Sequence, residues 1–307
     1  MAKLKIENKV LNILLEGLKI YFLNIGKFTK YMLFPVFGQV LGIFMVFAFA
    51  FWFVEMIPSL SVKYVFFNNF TVIALTLFAL TIPGFAIFMK AFWDYLVAYG
   101  ALNSMTEAVM TTGKLYDLKA HTQVITQRAF KFVLLLLAIS VLSLVAINPL
   151  FWIIGLIFFV YFVLIFQVFT FEAETTVTGC FKRSLELIKG NFGRTVVIMI
   201  ILSFIGHYLL NMGTVLLFNV IKLSDILRGV FETWTMTLPL DDINAKLVLF
   251  KLSAITPLDV ANNILSSSIL FVVGGLTLPM RSVCWTLWYK NLVAIQNKTD
   301  KKSKKDN

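Results

Sequence analysis

The sequence predicts an all-α, polytopic membrane protein with about six transmembrane helices and interfacial amphipathic helices between them. Three observations carry this. First, 59% of the 307 residues are hydrophobic, 14% are charged and 32 are Phe, where a soluble domain is nearer half apolar and a quarter charged; mean hydropathy is +0.87. Second, apolar runs long enough for a ~30 Å hydrocarbon core recur along the chain, at about 31–54, 66–89, 132–147, 150–171, 195–221 and 264–289. Third, 22 of the 27 Lys and Arg fall in alternate connecting segments. By the positive-inside rule those segments are cytoplasmic, and an even number of spans keeps both lysine-rich ends on that side.

In chain order, residues 8–25 pattern as an amphipathic helix with Leu11, Leu14, Leu15, Leu18 and Phe22 on one face. The first span follows and carries Gly38 and Gly42, a spacing that lets a second helix approach closely. A short outer loop is expected at 55–64. The second span should kink near Pro83 and continue as an amphipathic helix to the break at Thr111-Thr112-Gly113. Asp117 is placed to cap a further short helix. The third and fourth spans are joined by a tight turn at Asn148-Pro149. Segment 222–263 is the one sizeable connection that is not basic, with short helices expected at 223–234 and 241–252. The last span should bend at Pro279, with Trp285, Trp288 and Tyr289 as an interfacial aromatic belt. Residues 1–296 then form a single membrane domain, and 297–307, with five lysines, a disordered basic tail.

The pattern is densest at 150–221, where two apolar runs flank a charged connection. On a helix over 175–189, Val177, Cys180, Phe181, Ser184, Leu185, Leu187 and Ile188 share one arc and Lys182, Arg183, Glu186 and Lys189 the other. Gly190-Asn191 supplies the stop. Such a helix suits the membrane interface with its apolar side down; the alternative is a helix packed on the protein's own core. Asn24-Ile25-Gly26-Lys27 and Asn191-Phe192-Gly193-Arg194 precede spans in the same way, which suggests three repeats of an amphipathic helix followed by two spans.

The run Phe181-Lys182-Arg183-Ser184-Leu185-Glu186-Leu187-Ile188-Lys189-Gly190-Asn191-Phe192-Gly193-Arg194 resembles a helix end found in bacterial membrane proteins. It is similar to the membrane domain attached to some glycerophosphoryl diester phosphodiesterases and to related six-span families. Leu278-Pro279 and Leu287-Trp288-Tyr289-Lys290-Asn291-Leu292 resemble the way those domains end, although Asp is commoner where Asn291 stands. The resemblance implies a fold and a bacterial inner-membrane location. It implies no reaction, because the catalytic barrel of that enzyme is absent from the sequence.

Composition and motifs point away from catalysis. No P-loop, HExxH, GxSxG, CxxC or GxGxxG string occurs, and no catalytic residue, metal site or cofactor is expected. Cys180 and Cys284 form no metal pattern and should be free thiols. His207 lies midway in the fifth span, with Ser203 and Asn211 one turn to either side. An ionisable group at that depth is either functional or an interhelical hydrogen-bonding group. The expected partners are the bilayer itself, anionic headgroups contacting Lys27, Lys30, Lys182, Arg183, Lys189 and Arg194, and a separately encoded protein, with no nucleic acid. The expected function is a non-catalytic, lipid-interacting or membrane-organising role; a small-molecule transporter is the alternative.

Overall fold

The structure, a computed structural model, describes residues 9–115, 117–147, 151–238 and 240–303, and of 145–147 and 299–303 the backbone alone. The expected Asn148-Pro149 turn lies outside the described residues. Among the described residues the chain is helical throughout, with no strand. Five helical stretches are long and apolar enough to cross a membrane: Ile25–Lys63, Phe70–Thr112, Trp152–Phe171, Phe192–Val220 and Pro257–Leu276. A sixth is reached if Leu118–Thr126 and Ala129–Leu144, bent by 74° from one another, count as one.

The chain divides into two compact units. One comprises Met1–Ile200 with Leu278–Asn307, the other Ile201–Thr277. One boundary falls within Gly274-Gly275-Leu276-Thr277-Leu278-Pro279, and the other, between Ile200 and Ile201, lies inside an apolar run.

The first unit opens with α1 (Val10–Leu23) and α2 (Ile25–Lys63), separated only by Asn24. Asn24 ends the first helix, and its carbonyl accepts from Lys27 and Phe28 N–H to begin the second. α2 pairs along its length with α3 (Phe70–Thr112). Both are longer than the expected spans. The outer loop foreseen at 55–64 is helix up to Lys63, followed by a 3-10 turn at Val65–Asn68, and the Asn69 side chain caps α3 by accepting from Thr71 N–H at 2.8 Å. The absence of Gly or Asn between 55 and 63 leaves nothing to stop α2, and Pro58 is carried inside it.

The α2–α3 pairing rests on glycine. A Cβ at Gly42 would lie 2.5 Å from the Phe88 backbone nitrogen, and one at Gly84 would lie 2.8 Å from that of Val46. The sequence foresaw Gly38 and Gly42 but not Gly84, their counterpart on the facing helix.

α3 ends at Gly113 in the left-handed region (φ 72°), and the Asp117 carboxylate caps α4 (Leu118–Thr126) through Lys119 N–H at 2.9 Å, as expected. α5 (Ala129–Ile147), α6 (Trp152–Phe162) and α7 (Ile165–Phe171) follow. α8 (Val177–Ile188) is capped by the Thr176 hydroxyl and stopped at Gly190 (φ 82°). It packs on α5, α6, α7 and α14 (Leu278–Ser303). Cys180, Ser184, Leu187 and Ile188 of its apolar arc are buried there, while Leu185 stays exposed. The arc is therefore largely used within the protein.

α14 is the centre of this unit, in contact with α1, α3, α7 and α8. The expected single bent sixth span is two helices, broken at Thr277, and Pro279 falls in the first turn of α14, where its missing N–H costs nothing. Trp288 and Tyr289 are buried in protein instead of forming an interfacial belt. Their polar tips are satisfied inside: Trp288 Nε1–H donates to Thr195 Oγ1 at 3.1 Å and the Tyr289 hydroxyl to Glu172 Oε1 at 2.9 Å. The stretch from 297, expected to be disordered, continues α14 to Ser303. It contains no Gly or Pro to stop the helix.

The second unit contains the end of α9 (Phe192–Ser203), a π-helical turn at Phe204–Leu210, α10 (Asn211–Val220), α11 (Leu223–Thr235), α12 (Leu240–Leu249) and α13 (Pro257–Leu276). Its core is Leu265, Ile269 and Val273 of α13 against Leu210, Val215, Phe218, Leu227 and Phe231. α13 begins with a capping box in which Thr256 and Asp259 satisfy each other's backbone N–H groups.

Candidate functional site

The most concentrated polar chemistry lies where α3, α7 and α14 meet in the first unit. Asn103 of α3 is fully buried. Its Oδ1 accepts from Ser282 Oγ (2.7 Å), Gln167 Nε2 (3.2 Å) and Thr286 Oγ1 (3.2 Å). Its Nδ2 donates to Thr170 Oγ1 at 3.3 Å, and that hydroxyl donates to the Phe166 carbonyl at 2.7 Å. Helical spacing explains the convergence: Ser282 and Thr286 are one turn apart on α14, and Gln167 and Thr170 one turn apart on α7. One fully buried side-chain amide thus joins three helices.

Toward the end of the unit where α2 begins, the polar groups become charged. Glu172 Oε1 accepts from Arg183 Nε (3.0 Å) and from the Tyr289 hydroxyl. Arg183 Nη1 also donates to Gln296 Oε1 at 2.8 Å, and Glu186 lies 3.8 Å away. Lys290 pairs with Glu107 of α3 and lies over the Phe171 ring, and Phe171 stacks on Tyr289 at 5.4 Å. Arg128 closes α7: its Nη1 donates to the Phe169 carbonyl at 2.7 Å and its Nη2 to that of Thr170 at 3.4 Å, a cation on the negative end of a helix. Burial holds its guanidinium below the ordinary range, with Cys180 and Glu174 opposing.

Two more titratable groups lie at this end. The Cys180 thiol is free, buried on α8, and pushed up to about 11 by burial, with Glu172 adding to the shift. It stays protonated, so it is a weak nucleophile. His121 Nδ1 is 3.0 Å from Ser104 Oγ; burial lowers its pKa and Asp117 partly opposes this. Cys284 is also free and buried, against Gly17 of α1. Among the described residues no three His, Cys, Asp or Glu side chains group as a metal site.

The residues expected to meet anionic headgroups fall into two sets. Arg183 is committed to Glu172 and Gln296, and Lys27 Nζ donates to the Leu115 carbonyl at 2.9 Å. Lys30, Lys182, Lys189 and Arg194 are exposed.

In the second unit, Ser203 and His207 are exposed and Asn211 is half-buried. Asn211 Oδ1 is enclosed without a hydrogen-bond partner. His207 sits in the π-helical turn, which the α-helical pattern of the sequence did not reveal. Ser203, His207 and Asn211 are not joined to one another by hydrogen bonds among those described.

Sequence reasoning missed the Asn103 hub and the Glu172–Arg183–Tyr289 node. Gln167, a polar residue in an apolar run, reads from the sequence as interhelical glue, and its donation to Asn103 fits that reading. The available signal was periodic: Ser282, Thr286 and Tyr289 recur at helical spacing along an otherwise apolar stretch.

Compared with models of known protein families, with curated proteins and with solved structures, the chain matches none.

Proposed function

We propose that the chain is a six-span inner-membrane protein with both termini in the cytoplasm, akin to the membrane domains it resembles in sequence. It acts without catalysis of its own, as a lipid-interacting, membrane-organising partner of a separately encoded protein. The observation that supports this is the division of cations at one end of the first unit. Arg128, Arg183 and Lys290 are spent on holding helices together. Lys30 in the second turn of α2, Lys182 midway along α8, Lys189 at the end of α8 and Arg194 in the first turn of α9 are held out to the surroundings. Each cation near an anionic bilayer surface contributes about 1 kcal/mol; a cluster gives a preference for anionic lipid, and the paired internal charges keep the platform rigid.

The test is retention of lipid. Purified protein is exchanged into nanodiscs of mixed zwitterionic and anionic lipid, and bound lipid is counted by native mass spectrometry. Wild type should retain anionic lipid selectively, and the Lys30→Gln/Lys182→Gln/Lys189→Gln/Arg194→Gln variant should lose that selectivity while remaining folded. Equal retention of both lipids by wild type ends the proposal.

One observation favours the transporter reading: the π-helical turn carrying His207, since such turns in spanning helices recur at functional sites. On that reading His207→Gln abolishes a transport-dependent phenotype at normal protein level. On the first reading it leaves the phenotype intact.

A further inference from the structure

The second unit carries an apolar surface that its own fold does not cover. Set at 100° per residue, α11 has Asp225, Arg228 and Glu232 on one side and Leu223, Ile226, Leu227, Val230, Phe231 and Trp234 on the other. Half of the apolar side is occupied: Leu227 and Phe231 pack on α13. The other half is bare, with Ile226 63% and Val230 60% exposed one turn apart. The polar side is internally paired, Arg228 to Asp225 at 3.2 Å. A second bare surface lies at the end of α12, where Val248 and Leu249 of its last turn and Phe250 and Leu252 beyond it are all exposed around a turn at Lys251 (φ 57°). This tip is built, not frayed. The Asn244 side chain bonds both the N–H and the C=O of Ile255 (2.7 and 3.0 Å), and Thr235 Oγ1 donates to the Pro257 carbonyl at 2.9 Å.

We propose that segment 222–256 is a membrane-surface element, with Ile226, Val230 and the 248–252 tip immersed in the leaflet at which α10 ends. Lipid is the occupant because the bare stripe continues a lipid-facing one. α10 ends a candidate span, its Leu216, Leu217 and Val220 are exposed, and only Ile221 and Lys222 separate it from α11. The charges fit the same placement. Lys222 and Lys251 adjoin the bare apolar residues and are exposed; their stems can lie along acyl chains with the ammonium at headgroup level. A helix apolar on one side and internally ion-paired on the other is suited to lie ~5–10 Å into the headgroup–acyl boundary. In sequence the segment looks like an ordinary extramembrane loop.

The test places a fluorescent label on single cysteines introduced at Ile226, Val230, Val248 and Phe250, and at Asp225, Glu232 and Asp241 for comparison. The native Cys180 and Cys284 are buried, and labelled wild type serves as the blank. Each labelled protein is placed in nanodiscs whose acyl chains are brominated near the headgroup, and separately exposed to aqueous iodide. The first four positions should be quenched severalfold more by brominated lipid than the last three, and severalfold less by iodide. Iodide quenching at any of the first four equal to that at Asp225 overturns the proposal. Protection of those four from both quenchers overturns it too, since protein, such as a second copy of the chain, would then cover the surface. Gel filtration of each labelled variant shows that it remains folded.

Discussion

Replacing Gly42 by Ala should destabilise the protein even though alanine is the better helix former. A methyl at this position lies 2.5 Å from the Phe88 nitrogen, 2.7 Å from the Gly84 carbonyl oxygen and 2.7 Å from Phe88 Cβ. Ordinary carbon contacts are roughly 3.5–4.0 Å, so the helices must part by about 1 Å. The first two obstructing atoms are backbone and cannot rotate away, so α2 and α3 must separate as bodies. Overpacking of this kind costs about 1–3 kcal/mol, against a gain of roughly 0.5–1 kcal/mol from removing glycine from a helix. The net loss should be about 1–2 kcal/mol. Gly84→Ala acts on the same contact from the other helix, its methyl 2.8 Å from Val46 N and 2.9 Å from the Gly42 oxygen. Once one methyl has forced the helices apart, the second costs less, so the double variant should lose clearly less than the sum. Gly213→Ala is the control: nothing lies within 4 Å of its Cβ, and it should be neutral or stabilising. Equilibrium unfolding in mixed detergent micelles reads all four. A Gly42→Ala protein as stable as Gly213→Ala, or strict additivity with Gly84→Ala, would refute the close-approach argument.

Other expectations follow from the polar hub and its charged neighbours. Asn103→Leu strips the acceptor from Ser282, Thr286 and Gln167 at once and should cost about 2 kcal/mol, while Ser282→Ala, which removes one of three donors, should cost ~0.5–1 kcal/mol in the same unfolding assay. Arg183→Ala should cost about 1–2 kcal/mol, less than a fully buried pair because both partners are about a quarter exposed. Glu172→Gln keeps an oxygen that accepts from Arg183 and Tyr289 and should cost less than Arg183→Ala. His121 has a folded-state pKa below its ordinary value, so the neutral ring is favoured in the fold. Its contribution is complete above about pH 6.5, the unfolded value, and is lost as pH falls through the folded pKa. Melting temperature measured from pH 7.5 to 5 should therefore fall less steeply in His121→Gln than in wild type.

Much of the architecture was fixed by local physics and could be read directly. An apolar run long enough for a bilayer has to be helical, because no other backbone satisfies its own hydrogen bonds there. Gly113, Asp117 and Gly190 set helix ends through contacts within a few residues. Gly38 and Gly42 announced a close helix contact by spacing alone. What the sequence could not decide is which apolar or polar residue faces lipid and which faces protein, since in a membrane both environments accept the same side chains. Trp288 and Tyr289 suited an interfacial belt and are core. The apolar arc of α8 suited a bilayer surface and lies on α5, α6, α7 and α14. Arg183 suited a headgroup and is held by Glu172, 11 residues back, and Gln296, 113 residues on. Asn103 became the junction of three helices only because Gln167, Ser282 and Thr286, 64 to 183 residues away, arrive at one oxygen. Local propensity and hydropathy act within a few turns; pairing across the bundle depends on which helices touch and in what rotation, and that is decided only when the whole chain packs.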